Sequence, residues 1–285
     1  MGRPRFPSEC LNSNIRNHLC EDIALTAIKR ITRKIVESQV WRSVFRHGFP
    51  NTRRNQSLAV LSNVFLHLHP VSVRKSGVRL SYTWCMGGIS FFLFLLLTIT
   101  GVMLMFYYRP TAEFAYNDIV QLREDVAIGI MRELHRWGAH AMVISVWLHM
   151  YRVFLTGSYK PPREFNWGVG VMLLKFTLLL SFTGYLLPWD QLAIWAITVG
   201  TNMARATPGV GHEGPFSSML KIGDLPLLHS GDDVRFALLG GRFVAAPALL
   251  RFYVLHCVAF PLVAAGLIAV HFWRVRKDGG ISGPM

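Results

Sequence analysis

Charge is sparse in this chain, and acid sparser still: 16% of its 285 residues are Asp, Glu, Lys or Arg, with 16 acids against 30 bases. Cysteine is scarce too. Cys10, Cys20, Cys85 and Cys257 lie scattered, with no CxxC or CxxCH. That excludes a disulfide framework, a cysteine-built zinc site and ordinary two-cysteine haem attachment. No internal repeat is visible. The N-terminus shows no compact apolar core ahead of a small-residue cleavage site, so no cleavable signal peptide is expected.

What is plentiful is apolar. Hydrophobic residues make up 52% of the chain and the mean hydropathy is +0.33, too apolar for an ordinary soluble domain of this length. Four stretches are each close to the ~20 residues that cross a bilayer core: Cys85 to Tyr108, Trp137 to Leu155, Trp167 to Leu187 and Phe252 to Trp273. The expectation is an all-α membrane protein, a bundle of four transmembrane helices over residues 81–285 preceded by a basic extension, residues 1–80.

The formal charge of +14 is unevenly distributed. Residues 1–80 hold 14 bases against 4 acids, whereas Tyr107 to Leu134 holds three against five. The loop from Arg152 to Asn166 has three against one, as does the tail from Arg274, and the long stretch from Trp189 to Arg251 balances five against five. By the positive-inside rule the N-terminus, the loop between the second and third spans and the C-terminus lie on the cytoplasmic side. A nucleic-acid partner is not expected, because the bases flank apolar spans and do not form a folded basic face. Within the extension, Ile23, Ala27, Ile28, Ile31 and Ile35 recur at helical spacing with Lys29, Arg30, Arg33 and Lys34 between them. Such a helix, expected over Ile23 to Val44, lies on an anionic membrane surface or packs on a partner protein.

The chemistry concentrates in four histidines. His135 and His149 are fourteen residues apart, which on a helix leaves them about 40° apart in azimuth and roughly 21 Å apart along the axis. His256 and His271 are fifteen apart, about 60° and roughly 22 Å. The second and fourth spans run in the same direction, so His135 is level with His256 on the outer side and His149 with His271 on the inner side. Two imidazole pairs, each bridging two helices at one depth, are what two six-coordinate haems require. His140, about 140° round the helix from His135, is expected not to ligate. Gly87 and Gly101 on the first span and Gly170 and Gly184 on the third repeat the fourteen-residue interval, and glycine lets a backbone approach a flat ligand closely. Arg132 and Arg136 on the outer side, and Arg152 and Arg276 on the inner side, are candidate partners for haem propionates. Lys175, inside the third span, has no assigned role; a propionate, a lipid and a partner chain are all open. A weakly apolar stretch from Leu192 to Met203 suggests a surface helix in the long connection between spans three and four, a length that usually carries function.

From about Leu66 to Met285 the sequence resembles the b6 branch of the cytochrome b family of quinol-oxidising bc complexes. "CMGGISFF", "FYYRPT", "HRWGAHAM", "LHMYRVFLTG", "SFTGYLLPWDQ", "RFYVLHCVAFP" and "ISGPM" carry the resemblance, in consistent order. The fifteen-residue interval of the last two histidines fits that branch. So does the absence of PEWY, which the branch keeps on a separate subunit. The resemblance implies two b-type haems and a third haem bound covalently at Cys85 by a single thioether. It implies a quinol-oxidation pocket walled by Tyr185, Pro188, Trp189, Asp190 and Gln191. The expected partners are a PEWY-bearing subunit IV-like chain, a Rieske iron-sulfur protein, a c-type cytochrome, membrane lipid and a second copy of the complex. The expected location is a bacterial cytoplasmic membrane. His67 and His69 stand near the edge of the matched region, as surface residues or close to an inner quinone site. Two other readings remain: a dihaem anchor of a quinone-reducing dehydrogenase or hydrogenase, which leaves PWDQ, the glycine pairs and Cys85 without a role, and a haem-free scaffold or transporter subunit.

Overall fold

Runs of Leu, Ile, Phe and Val without helix breakers have one structure open to them in an apolar medium, because only a helix satisfies every backbone N–H and C=O within its own segment. The long apolar runs are helical in the computed structural model. It describes residues 26, 28–38, 51–63, 72–73, 75, 79–124, 126–219, 221–222, 225–229 and 231–281. The chain divides into two units, Met1–His67 and Leu68–Met285.

In the first unit residues 28–36 are helical, within the expected surface helix, with Ile28, Ile31 and Ile35 exposed. Arg33 pairs with Glu37 one turn on, at 2.9 Å. A second helix, α1 (Arg53–Ser62), is capped by Thr52, whose hydroxyl accepts from Asn55 N–H at 3.2 Å. Cys10, Cys20, His67 and His69, and residues 23–25, 27 and 39–44 of the expected Ile23 to Val44 helix, lie outside the described residues.

In the second unit the long helices are α2 (Met86–Met105), α4 (Val126–Leu155) and α5 (Glu164–Leu186). The fourth is composite: α8 (Ala246–Val254) continues through a π-helical turn, Leu255–Ala259, into α9 (Phe260–Lys277). The shorter α3 (Ala115–Glu124) joins α2 to α4. Helices α6 (Gln191–Arg205) and α7 (Val234–Leu239) lie in the long connection between α5 and α8. That connection also holds β1 (Lys221–Ile222) antiparallel to β2 (Leu225–Pro226), with Lys221 opposite Pro226. The helix α6 frames the expected surface stretch. By length and composition α2, α5 and the composite helix can cross a membrane. The second expected span lies on α4, which begins eleven residues earlier than expected. Its hydropathy is diluted by His135, His140 and His149 and by Arg132, Glu133 and Arg136.

The π turn has a local cause. Pro261 has no N–H to give to the carbonyl four residues back, and its ring crowds that position, so the ladder cannot continue unperturbed. A π turn absorbs one extra residue. The fifteen residues from His256 to His271 therefore span the rise and azimuth that fourteen span on α4, and the one-residue mismatch of about 100° between the two histidine intervals is absorbed.

Helix α2 packs along α4, and α5 along α9. Ser90 and Ser145 meet across the first pair at 3.0 Å while each also bonds its own helix backbone. Where the chain leaves the spans, Leu186, Ile197, Leu239, Ala248 and Phe252 form a fully buried cluster, tying α6 and α7 to α5 and α8. Burying each large side chain there stabilises by about 1.5–3 kcal/mol, more than the ~0–1 kcal/mol of an exposed ion pair, so apolar packing holds this segment. A second cluster, Tyr108, Ala115 and Leu249, sits beside it, with Tyr108 O–H donating to Leu187 C=O at 2.6 Å.

Two buried carboxylates stitch the connections. Asp118 on α3 accepts from Arg109 Nε at 3.0 Å and from its backbone N–H at 2.9 Å, and the Arg109 guanidinium holds its carboxyl below the usual carboxylate range. Asp233 caps α7 through Phe236 N–H (2.9 Å) and meets His212 Nδ1 (2.6 Å) and Arg205 Nε (3.3 Å). Burial alone would raise it, but those hydrogen bonds and the Arg205 charge outweigh burial and hold it low. A carboxyl with a depressed folded pKa contributes stability that is complete above its unfolded value of about 3.9 and is lost as pH falls through the folded value. The thermal unfolding midpoint of the detergent-solubilised protein should therefore decline below about pH 4. Asp118→Asn should lower the midpoint by a few degrees at neutral pH and make it less sensitive to acid; an unaltered pH profile would show that the pair contributes nothing.

Candidate haem-binding site between two helix pairs

At the level expected to be the outer one His135 on α4 faces His256 in the π turn, their ring centroids 6.3 Å apart and planes at 79°. At the inner level His149 faces His271, centroids 6.4 Å apart and planes at 82°. Two imidazoles on opposite sides of one metal atom, with bonds of about 2.0 Å and about 1.1 Å from nitrogen to ring centre, put their centroids about 6.2 Å apart. The separations fit a shared metal ion held by both rings, and they exclude direct imidazole–imidazole hydrogen bonding as the reason for the pairing.

Each histidine rests against one glycine on the helix packed beside it. A Cβ at Gly101 would stand 3.1 Å from His135 Cε1, and one at Gly184 2.6 Å from His256 Cε1. At the inner level a Cβ at Gly87 would be 3.3 Å from His149 Cε1, and one at Gly170 4.0 Å from His271 Cε1. The glycine interval thus makes room for the imidazoles themselves, and lets the two helices of each pair close up on the ring between them. His140 turns away, its Nδ1 donating to Arg136 C=O at 2.8 Å on an outward face.

The outer pair has supports that sequence reasoning missed. Thr100 and Thr183, both buried, precede Gly101 and Gly184. Each hydroxyl donates to its own helix, Thr100 to Leu96 C=O at 2.8 Å and Thr183 to Leu179 C=O at 2.8 Å, and so accepts from a ring nitrogen. His135 Nδ1 bonds Thr100 at 2.8 Å; His256 Nδ1 bonds Thr183 at 3.2 Å and Leu180 C=O at 3.1 Å. Carbonyls only accept, so Nδ1 carries the proton and Nε2 keeps its lone pair for a metal, the usual arrangement for a ligating histidine. The signal was present as a Thr-Gly dipeptide repeated at the same place on two spans.

The candidate anion partners divide by level. Arg152 lies over the Tyr82 ring at 4.3 Å, with Nε and one Nη buried and lacking a hydrogen-bond partner among the described residues. Buried guanidinium donors without partners suit an anionic group at the inner level, as a haem propionate would be. Arg276, on the last turn of α9, belongs to the same end of the bundle. Arg132 and Arg136 are instead engaged with Glu133, at 2.7 and 2.5 Å, so at the outer level a propionate would compete with a carboxylate already in place.

Cys85 is an exposed free thiol at the N-cap of α2, in left-handed backbone at φ 51°, two residues from the Gly87 that faces His149. The PWDQ residues turn the chain from α5 into α6. Trp189 takes φ 53° and packs on both apolar clusters, and Asp190 caps α6 by accepting from Ala193 N–H at 2.8 Å. Gln191 and Tyr185 are exposed and Pro188 is half-buried.

Comparison with known proteins points the same way. The family profile described as Cytochrome b/b6/petB matches residues 71–214. A cytochrome b6 of Heliobacterium mobile is 40% identical over 218 residues, 76% of this chain and 91% of that one. The menaquinol:cytochrome c reductase cytochrome b subunit of Bacillus subtilis is 39% identical over 220 residues, 77% of this chain and 89% of that one. Among solved structures, a hyperthermophilic respiratory complex III aligns with a TM-score of 0.59 and 27% identity over 71% of this chain. The chain spans about half, 49%, of that structure's chain. A profile covering both glycine-bearing helices and both candidate histidines of α4, with relatives sharing about two residues in five along most of their own length, makes this chain a member of the cytochrome b/b6 family.

Proposed function

We propose that the chain is the dihaem, and with Cys85 the trihaem, cytochrome b subunit of a quinol-oxidising complex that carries electrons across a bacterial cytoplasmic membrane. The observation that carries this reading is the two facing imidazole pairs, one near each end of the bundle. His135 and His256 would hold a b-type haem at the outer level, and His149 and His271 another at the inner level. Haem bound there supplies one-electron exchange, which turns two stacked sites into a path through lipid.

The protein's part is position and proton bookkeeping at named atoms. Thr100 and Thr183 fix the tautomer of His135 and His256, and the four glycines let the backing helix of each pair close on its histidines. Arg152 and Arg276 would take propionates on the inner side, and Arg132 and Arg136 on the outer side once Glu133 yields them. Tyr185, Pro188, Trp189, Asp190 and Gln191 would wall the outer quinol pocket, with Asp190 also stabilising the α6 terminus that shapes it. Quinol oxidation on the outer side and quinone reduction on the inner side release and take up protons on opposite faces. The name of the Bacillus subtilis relative supports quinol as donor and a c-type cytochrome as acceptor. A Rieske protein, a PEWY-bearing subunit, surrounding lipid and a dimeric complex complete the reading, with both termini on the cytoplasmic side.

The deciding experiment is a reduced-minus-oxidised spectrum of the purified complex. His149→Leu and His135→Leu should each remove about half of the b-type absorbance; full absorbance in either variant would overturn the pairing. Alanine at the glycines grades the site by distance. Gly184→Ala, with its new methyl 2.6 Å from His256, should perturb the outer haem strongly, whereas Gly170→Ala, at 4.0 Å from His271, should leave the inner haem nearly intact. Equal effects would show that the glycines are ordinary helix packing. Cys85→Ala should leave both b-type signals but abolish haem that stays with the chain in denaturing electrophoresis; staining that survives the substitution refutes the thioether.

A further inference from the structure

Lys175 is the one charged residue inside a span that the haem reading leaves unused. It stands at the midpoint of α5, eleven residues from Glu164 and eleven from Leu186, hence about 16 Å from either helix end. A lysine side chain reaches only about 6 Å, so it cannot snorkel its ammonium to either headgroup layer. A lipid phosphate is therefore out of range. It is exposed, and it has no hydrogen bond or ion pair among the described residues. Neither can it serve a haem propionate. Gly170 and Gly184, which face the histidines, lie about 140° and 180° round the helix from it, so Lys175 points away from the site.

Its own face is otherwise apolar: Met172, Leu178 and Leu179, all exposed, lie within about 60° of it. An intramembrane charge on a lipid-facing surface is costly and calls for a partner at its own depth. A second copy of this chain does not provide one. The apolar windows of α2, α5 and the composite helix hold no acid near mid-depth, Glu133 lies near the outer end of α4, and a two-fold contact of this face with itself would set lysine against lysine.

We infer that the Lys175 face of α5 is covered by a transmembrane helix of a different subunit, one carrying an Asp or Glu at the middle of its own span. Charge complementarity fixes the occupant's chemistry, and Met172, Leu178 and Leu179 supply the apolar flanks that such a helix would pack against. The inference requires only that the chain works within a complex; it does not depend on the haem assignment.

The test uses the whole complex in its native membranes. A membrane-soluble carbodiimide activates a buried carboxyl for attack by an adjacent amine, giving an amide. Mass spectrometry of the treated complex should find Lys175 joined to an Asp or Glu in a span of another subunit. Lys175→Met should abolish that cross-link, and Lys175→Glu should deplete the same subunit at least several-fold on detergent extraction. Exchanging the partner's acid for lysine in the Lys175→Glu background should restore it. The b-type absorbance of this chain should be retained throughout, which separates failure of this inference from failure of the haem reading. A cross-link to another copy of this chain, no cross-link together with unchanged subunit composition in Lys175→Glu, or modification of Lys175 by a membrane-impermeant amine reagent would each overturn the inference.

Discussion

Everything in the bundle depends on a separation of about 6 Å between imidazole rings that belong to different helix pairs. At each level one histidine comes from α4 and its opposite from the composite helix, while α2 and α5 back them. Were the pairs closer, no metal ion could fit between the nitrogens; were they farther apart, no single ion could be within bonding range of both rings. Glycine holds each ring in place from behind, because the backing helix of the same pair can reach the ring only without a side chain between them. The clearances are unequal, tightest at Gly184 and loosest at Gly170. The outer level is thus the more rigidly built of the two, and it alone has a threonine accepting from each Nδ1. A ring whose tautomer and tilt are fixed in this way would offer a bound metal a defined basicity, and so the two levels differ in the support they give their rings as well as in depth.

The same constraint explains the break in the fourth span. A straight helix with histidines fifteen residues apart would put one ring out of line with its counterpart. Pro261 opens the ladder and the π turn takes in the surplus residue. The irregularity falls on His256 itself, whose ring meets Thr183 at Nδ1 and Gly184 at Cε1. A local defect of the kind usually costly in an exposed helix here brings the two histidine ladders into register.

How much of this was legible in the sequence follows from which interactions repeat along a helix. The histidine and glycine intervals are properties of one helix each, so a period of 3.6 residues and chain direction suffice to pair them. Thr100 and Thr183 were missed because threonine in a membrane helix ordinarily bonds its own backbone; both do so, and only the packed structure shows the second bond. Engagement of Arg132 and Arg136 with Glu133 was not read from the sequence, because the choice between a carboxylate neighbour and a propionate is made by rotamers. The early start of α4 escaped hydropathy because its first turns carry charge. The Arg205, His212 and Asp233 cluster escaped for another reason: its members come from three places in a long connection, and no periodicity relates them.

Lys175 shows how the two kinds of information combine. Sequence alone places a cation inside an apolar run and leaves propionate, lipid and protein as partners. The fold adds its azimuth, away from the histidines, and its depth, beyond reach of the headgroups, which together eliminate two of the three. The remaining spans make the same point more broadly. Only 11%, 22% and 6% of the apolar windows of α2, α5 and the composite helix are buried within the chain. Lipid tails can cover such leucine and phenylalanine at no electrostatic cost, so exposure by itself identifies no interface. A charge at mid-depth breaks that indifference: hydrocarbon cannot solvate it, and the surface that carries it therefore specifies a neighbour where the rest of the bundle's exterior does not.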